Sequence, residues 1–179
     1  FAGMTVACGC GGGDAVAAVV PRALRARALV LDADALNAVA ADPQLHAQLA
    51  ARGRRRAPTV LTPHPLEAAR LLATDTSSVQ ADRLAASRDL AARFGSVVIL
   101  KGSGTVVAAP DGRTWINPTG NARLAIAGTG DVLAGMVAAR LAAGEEAATA
   151  AVAAVYLHGL AADRWPAGLP LTAGALAGS

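Results

Sequence analysis

The residues best suited to chemistry in this 179-residue chain are Gly128-Thr129-Gly130-Asp131. The first three leave backbone N–H groups with little side-chain bulk at the expected start of a helix. There the aligned peptide dipoles and unpaired amides attract an anion such as phosphate. Asp131 follows directly. Together the four residues offer an anion hole, Gly128 to Gly130, and a base, Asp131. The base would take a proton from an attacking hydroxyl while the amides hold a transferring phosphoryl group. The alternative is that Asp131 only caps a helix that Gly130 allows to turn tightly, and a short glycine motif alone does not separate the two readings.

Other candidates fall where strands are expected to end. Lys101 is the only lysine in the chain, and Lys101-Gly102-Ser103-Gly104-Thr105 would lay a cation and backbone donors along a nucleotide's phosphates. An exposed lysine at a hairpin entry is the competing explanation. His64, rigid between Pro63 and Pro65, would contact substrate or else bond backbone amides at a helix start. Asp32, Asp34 and Asn37 supply oxygens suited to magnesium, although helix capping explains Asp34 equally well. Asn117 and Asn121 either touch substrate or shape the loop before the anion hole. His158, on an apolar helix face, reads as a satisfied interior histidine and is left out of the site. No Walker A motif, dinucleotide-binding glycine fingerprint or zinc signature is present.

The elements needed to position these groups are legible from alternation. β-branched runs at Thr5–Cys8, Ala28–Leu31, Thr59–Leu61 and Val97–Leu100 are separated by alanine- and leucine-rich helical stretches, the pattern of a largely parallel sheet covered on both faces. Asp14 is expected to cap a helix running toward Arg27, which Pro21 should kink or restart. Further helices are expected around 43–51, at 66–72 with Pro65 in the first turn, and at 82–94 with Ser77 or Ser78 as cap. A hairpin spans 106–116 around Pro110-Asp111-Gly112, a helix runs from the anion hole to Ala143, and a last long helix covers about Glu146 to Asp163. Ligands of such sheets bind beyond the carboxyl ends of the strands, where all the unusual residues lie.

Length and composition favour one domain, 1–179, with a core of its own. The formal charge of +3 and the cluster Arg52, Arg54, Arg55, Arg56, without interleaved aromatics, argue against a nucleic-acid surface and for a solvated helix end. The most apolar stretch, 147–157, is too short to cross a bilayer. Cys8 and Cys10 flank a single residue, a poor spacing for a disulfide with each other, and a reducing cytoplasm fits. The start at Phe1, directly before a buried strand, suggests that the natural protein continues upstream and that the amino-terminal portion is missing.

Taken in order, Gly9-Cys-Gly-Gly-Gly13, Leu31-Asp-Ala-Asp-Ala-Leu-Asn37, Leu61-Thr-Pro-His-Pro65 with Glu67, Lys101-Gly-Ser-Gly-Thr105, and Asn117-Pro-Thr-Gly-Asn121 with Ala127-Gly-Thr-Gly-Asp-Val-Leu-Ala-Gly135 resemble the ADP-dependent NAD(P)H-hydrate dehydratase family over nearly the whole chain. The resemblance implies a ribokinase-like α/β/α three-layer sandwich with a mostly parallel sheet. It implies dehydration of hydrated NADH or NADPH, driven by ADP or ATP with magnesium on the phosphates. Carried over by position, Gly11, Gly13, Asn37, His64, Asn121 and Asp131 would meet the hydrated cofactor, and Lys101 to Thr105 with Gly130 the adenine nucleotide. Relatives of this kind commonly form homo-oligomers and work beside an epimerase for the hydrate. The first glycine loop departs from the family's usual Gly-Pro-Gly-Leu-Gly. A small-molecule kinase of the same superfamily, acting on a carbohydrate or vitamin precursor, is the main alternative, and a nucleotide-binding module without catalysis is a third.

Overall fold

The structure, a computed structural model, describes residues 1–178, with Asp14 described only in its backbone. Thr5–Cys8 (β1), Ala28–Leu31 (β2), Thr59–Leu61 (β3) and Val97–Leu100 (β4) are apolar at most positions, as parallel strands covered on both faces must be. They lie side by side in parallel, with Cys8 opposite Leu31 and Leu31 opposite Leu61. Val106–Ala108 (β5) and Thr114–Ile116 (β6) extend the sheet from β4 as the expected antiparallel hairpin, giving the order β1-β2-β3-β4-β5-β6.

That sequential order dictates the layers. Right-handed crossovers between neighbouring parallel strands put every crossover helix on one face. Those helices are Val16–Ala23 (α1), Ala33–Ala41 (α2), Pro43–Arg54 (α3), Pro65–Leu72 (α4), Thr76–Ala81 (α5) and Arg83–Phe94 (α6). They pack with Leu29, Leu31, Leu61, Val98 and Leu100. The alternate strand residues Val30, Val60, Ile99 and Val107 point to the other face, which Thr129–Ala142 (α7) and Ala147–Asp163 (α8) cover after the sheet is complete. A short helix, Ala173–Ala177 (α9), closes over α7 through Leu171 and Leu176. The three-layer α/β/α sandwich expected from the alternation is therefore present. No helix among the described residues is long and apolar enough to cross a membrane.

Local details differ from the sequence expectations for identifiable reasons. α1 passes through Pro21 without restarting and ends at Ala23, and its cap position is Ala15, behind a 3-10 turn over Gly13–Ala15. Capping by the Asp14 side chain lies outside the described residues. The Ser77 and Ser78 caps are replaced by two aspartates. Asp75 caps α5, which contains both serines, and Asp82 starts α6 by accepting from the Ala85 amide at 2.8 Å. Aspartate competes well for this position because its carboxylate also complements the helix dipole.

The arginine cluster splits. Arg54, Arg55 and Arg56 are exposed, but Arg52 is buried. Its guanidinium donates to Thr59 Oγ1 and to the carbonyls of Leu24, Ala26, Arg27 and Pro58, tying the end of α1 to the starts of β2 and β3. Burial lowers its pKa, and the repulsion of Arg55 adds to that. Arg52→Ala strands several buried carbonyls, so the denaturant midpoint is expected to fall by the equivalent of about 2–4 kcal/mol, measured by urea unfolding.

Candidate active site

The carboxyl ends of β1 to β4 are drawn together by backbone contacts: the Asp32 amide donates to Cys8, that of Thr62 to Leu31, and that of Lys101 to Pro63. Close approach sets the first turn. A Cβ on Gly9, at φ +117°, would lie 1.8 Å from the Asp32 carbonyl oxygen, so no other residue lets β1 leave past β2. Ala33 takes φ +39°, a value unfavourable for a residue with a side chain, immediately after Asp32.

These turns aim Asp32 into the sheet edge. Its side chain is 2% exposed, and Oδ1 accepts from Lys101 Nζ at 2.6 Å and from Thr62 Oγ1 at 2.8 Å. The lone lysine is thus no exposed hairpin residue. It lies across the ends of β2 to β4, with Glu67 Oε2 4.0 Å away on its other side. Glu67, also buried, accepts from the His64 amide at 2.8 Å through Oε2 and meets His64 Nε2 at 3.1 Å through Oε1. His64 Nδ1 accepts from the amides of Leu66 and Glu67, completing a capping box on α4. Of the two readings of His64, the structure realises the helix-start bond.

The expected anion hole sits against this ion pair. Gly128 is left-handed, with φ +87°, and gives α7 no side-chain cap. Among the described residues, no acceptor meets the amides of Gly128, Thr129, Gly130 or Asp131. A Cβ built on Gly130 would lie 3.5 Å from Lys101 Nζ and 3.7 Å from Asp32 Oδ2, so the glycine brings bare backbone up to both charges. Thr129 Oγ1 donates to the carbonyls of Leu124 and Ile126, holding the preceding loop. The Thr129 carbonyl accepts from buried His158 Nε2 at 2.9 Å. His158, read from sequence as interior, is interior and also secures this turn. Asp131 is exposed in the first turn of α7, and its carboxylate lies near those of Asp32 and the Cys10 thiol, all within 4.8 Å of one another.

A cavity of about 430 Å³ opens on the other side of Gly130. Residues 101–105 form one wall, 119–122 another, and Thr129, Gly130, His158 and Gly159 the base. Arg83 supports the first wall from behind, donating from Nη2 to the carbonyls of Leu100 and Lys101 at 3.0 and 3.2 Å. Asp163 supports the second, accepting from the Gly120 amide at 2.7 Å and from Asn121 Nδ2 at 2.9 Å. A slightly larger cavity of about 470 Å³, between the hairpin and the outer side of α8, is lined mainly by groups such as Trp115, Val152 and Tyr156. It lacks the convergent charges and free amides of the first and lies apart from the chemistry.

The family model for NAD(P)H-hydrate dehydratase matches residues 4–175. The chain belongs to this family. A Neisseria meningitidis protein named ADP-dependent (S)-NAD(P)H-hydrate dehydratase is 46% identical over 176 residues, 97% of this chain and 58% of that relative. A Gloeobacter violaceus protein named as a bifunctional NAD(P)H-hydrate repair enzyme is 47% identical over 89% of this chain and 30% of its own length. The chain therefore spans little more than half of the first relative and less than a third of the second. The crystal structure of the Bacillus subtilis ADP/ATP-dependent NAD(P)H-hydrate dehydratase, co-crystallised with ATP and Mg2+, matches at TM-score 0.79 and 36% identity, over 96% of this chain and 60% of its own. A ribokinase-like superfamily protein of Enterococcus faecalis, 24% identical over 94% of this chain and 57% of its own, shares the fold at TM-score 0.71.

Within this dehydratase-family chain, the structure gathers Lys101 to Thr105, Asn121, Thr129 and Gly130 around the cavity and puts Gly128 and Asp131 at the same helix mouth. It does not bring Gly11, Gly13, Asn37 or His64 into that cavity. The Gly13 amide donates to Asp34 Oδ2 at 2.8 Å, and Asn37 Oδ1 accepts from Arg70 Nη1 at 2.7 Å. Asp34 thus braces the glycine loop and leaves its own helix uncapped. The side chains of Arg83 and Asp163 were not singled out from sequence, because each acts through partners 17 to 43 residues away, whereas Glu67, part of the quoted motif, is buried between His64 and Lys101.

Burial lowers the pKa of His158 below the ordinary 6.5, an effect the Thr129 bond only partly offsets. The folded ring stays neutral where the unfolded ring takes up a proton, so stability is retained above about pH 6.5 and lost as pH falls toward the folded value. Denaturant midpoints measured between about pH 7 and pH 5 are expected to fall for the native chain and to fall less for His158→Gln.

Proposed function

We propose that this chain carries out the ADP-dependent dehydration of hydrated NADH or NADPH, restoring the reduced nicotinamide cofactor with release of AMP and phosphate. The observation that carries the reading is the row of four unpaired amides at the mouth of α7, with a carboxylate on one side and a nucleotide-sized cavity on the other. ADP would lie along residues 101–105, with its terminal phosphoryl group at Gly128, Thr129 and Gly130. The Lys101 ammonium keeps positive charge at the cavity floor while its pairing with Asp32 holds it in place. The hydrated nicotinamide ring would enter on the Asp131 side, near the exposed loop containing Gly11.

The chemistry balances in two steps. Asp131 accepts the proton of the ring hydroxyl as its oxygen bonds to the terminal phosphorus, and the bond from that phosphorus to AMP breaks. The backbone amides hold the charge on the equatorial oxygens, which develops where their fixed dipoles already point. Loss of phosphate from the ring carbon, with loss of a proton from its neighbour, then restores the double bond.

Asp32, Asp34 and Asn37 do not form a magnesium cage. Asp34 is held by Gly13 and Asn37 by Arg70, and only Asp32 faces the site. Magnesium would enter on the nucleotide's own phosphate oxygens, neutralising part of their charge. A bifunctional relative fits a working partnership with the hydrate epimerase. A cytoplasmic setting and homo-oligomeric assembly belong to the same reading.

Incubating the protein with ADP and hydrated NADH is expected to return the absorbance of reduced nicotinamide. Phosphorylation of a carbohydrate or vitamin-precursor alcohol by ATP, without that return, would replace the dehydratase by a kinase. Asp131→Ala is expected to lower kcat by about 10²–10⁴-fold while ADP binding persists. Unchanged turnover in that variant would remove Asp131 from the chemistry, and a protein that binds ADP with no turnover at all would be a nucleotide-binding module.

A further inference from the structure

Arg83 stands outside the nucleotide cavity yet reaches its wall. It is the first residue of α6, and Asp82 fixes that helix start by accepting from the Ala85 amide. From there Nη2 donates to the carbonyls of Leu100 and Lys101 at 3.0 and 3.2 Å, and Nη1 donates to Gln80 Oε1 at 2.8 Å. Nε is buried and has no partner. The folded chain therefore carries a cation at the positive end of a helix dipole, a guanidinium whose burial lowers its pKa, and a donor left unpaired. Departures from local rules concentrate at functional sites, and the carbonyls that Arg83 holds lie at one.

The grip has a geometric consequence. In a planar trans peptide the C=O and the N–H that follows it point in opposite directions. Lys101 and Gly102 share such a peptide, since no cis bond lies among the described residues. Arg83 draws the Lys101 carbonyl toward itself behind the wall, which turns the Gly102 N–H away from Arg83 and toward the cavity that Gly102 lines. Among the described residues, no acceptor meets that amide. Pro63 accepts from the Lys101 amide at 2.9 Å, so Lys101 is clamped from both sides. Gly102, at φ +143°, rests against the guanidinium: a Cβ there would stand 3.0 Å from Nη2 and 3.1 Å from Nη1.

We infer that Arg83 is a positioning residue for nucleotide binding, which holds the Lys101 carbonyl and so aims the Gly102 amide at the phosphates of ADP. The inference rests on the nucleotide placement of the proposed function. Arg83 does not line the cavity, so it acts through the peptide and not as a counter-charge against phosphate. Its planar fork spans two carbonyls and Gln80 at once, whereas a lysine ammonium is a point donor on a flexible stem. With the terminal phosphoryl group at α7, the Gly102 amide meets the phosphate that stays on AMP. That phosphate is held equally before and during transfer, so loss of the amide should weaken binding and leave the chemical step alone.

Calorimetric titration with ADP, together with steady-state kinetics, tests the inference on the full chain. Arg83→Lys is expected to weaken ADP binding about tenfold or more. The KM for ADP should rise by the same factor, while kcat at saturating ADP and the KM for hydrated NADH stay within about twofold of native. Gln80→Ala leaves both carbonyls held and is expected to bind ADP within about twofold of native. In the native protein the amide resonance of Gly102 is expected to move when ADP is added, and in Arg83→Lys to move less. Unweakened ADP binding in Arg83→Lys, a loss confined to kcat, or a native Gly102 resonance that ignores ADP would overturn the assignment. The last measurement decides the aim of the amide even if the variant does not fold. ADP binding without return of reduced nicotinamide would remove the dehydratase and leave the role of Arg83 to the binding data, and a native protein that binds no ADP would remove both.

Discussion

The site depends on one ion pair. Lys101 and Asp32, 69 residues apart, meet at 2.6 Å at the edge of the sheet, and the whole α/β framework is needed to bring them there. Withdrawing two charges from water is costly unless their geometry and remaining bonds are good, so the surroundings must supply partners. Thr62 donates to the same Asp32 oxygen, Glu67 lies beyond the ammonium, and Gly130 closes the remaining side with backbone alone. A side chain at Gly130 would stand between that pair and whatever the α7 amides bind. The glycine preceding Asp131 thus lets fixed charge, free amides and carboxylate share a few ångströms.

Rigidity around the pair comes from side chains whose hydrogen bonds are made to the chain itself. Arg83 holds the end of β4 from behind, and Asp163 fixes residues 120 and 121 from the end of α8. His158 and Thr129 lock the turn into α7 through carbonyls on both sides of it. The amides are left without acceptors because the same turn is satisfied elsewhere. Preorganised donors of this kind stabilise developing charge without having to reorient during the reaction.

Much of the fold was legible because the strands are short, apolar and separated by helical stretches, so periodicity alone indicated a parallel sheet with its ligands at the carboxyl edge. The hairpin around Pro110-Asp111-Gly112 and the helix after Gly130 were equally plain, since turn residues and a glycine-rich helix start are local signals. The misreadings were local competitions settled by neighbours. Asp82 displaced Ser77 and Ser78 as a cap, α1 ended at Ala23 and did not reach Arg27, and Arg52 turned inward while its neighbours stayed in solvent.

The sequence by itself determined the order of strands and helices, the glycine-rich start of the helix that carries Asp131, and the family motifs spread along the chain. Each of these is written within a few consecutive residues. Only the tertiary structure decided that Lys101 pairs with Asp32, that His64 bonds a helix start and Glu67, that Asp34 braces the first glycine loop, and that Cys10 faces two carboxylates. The physical reason is that those outcomes depend on distances between carboxyl ends of different strands. Crossover packing and register set such distances, and no local run of residues encodes them.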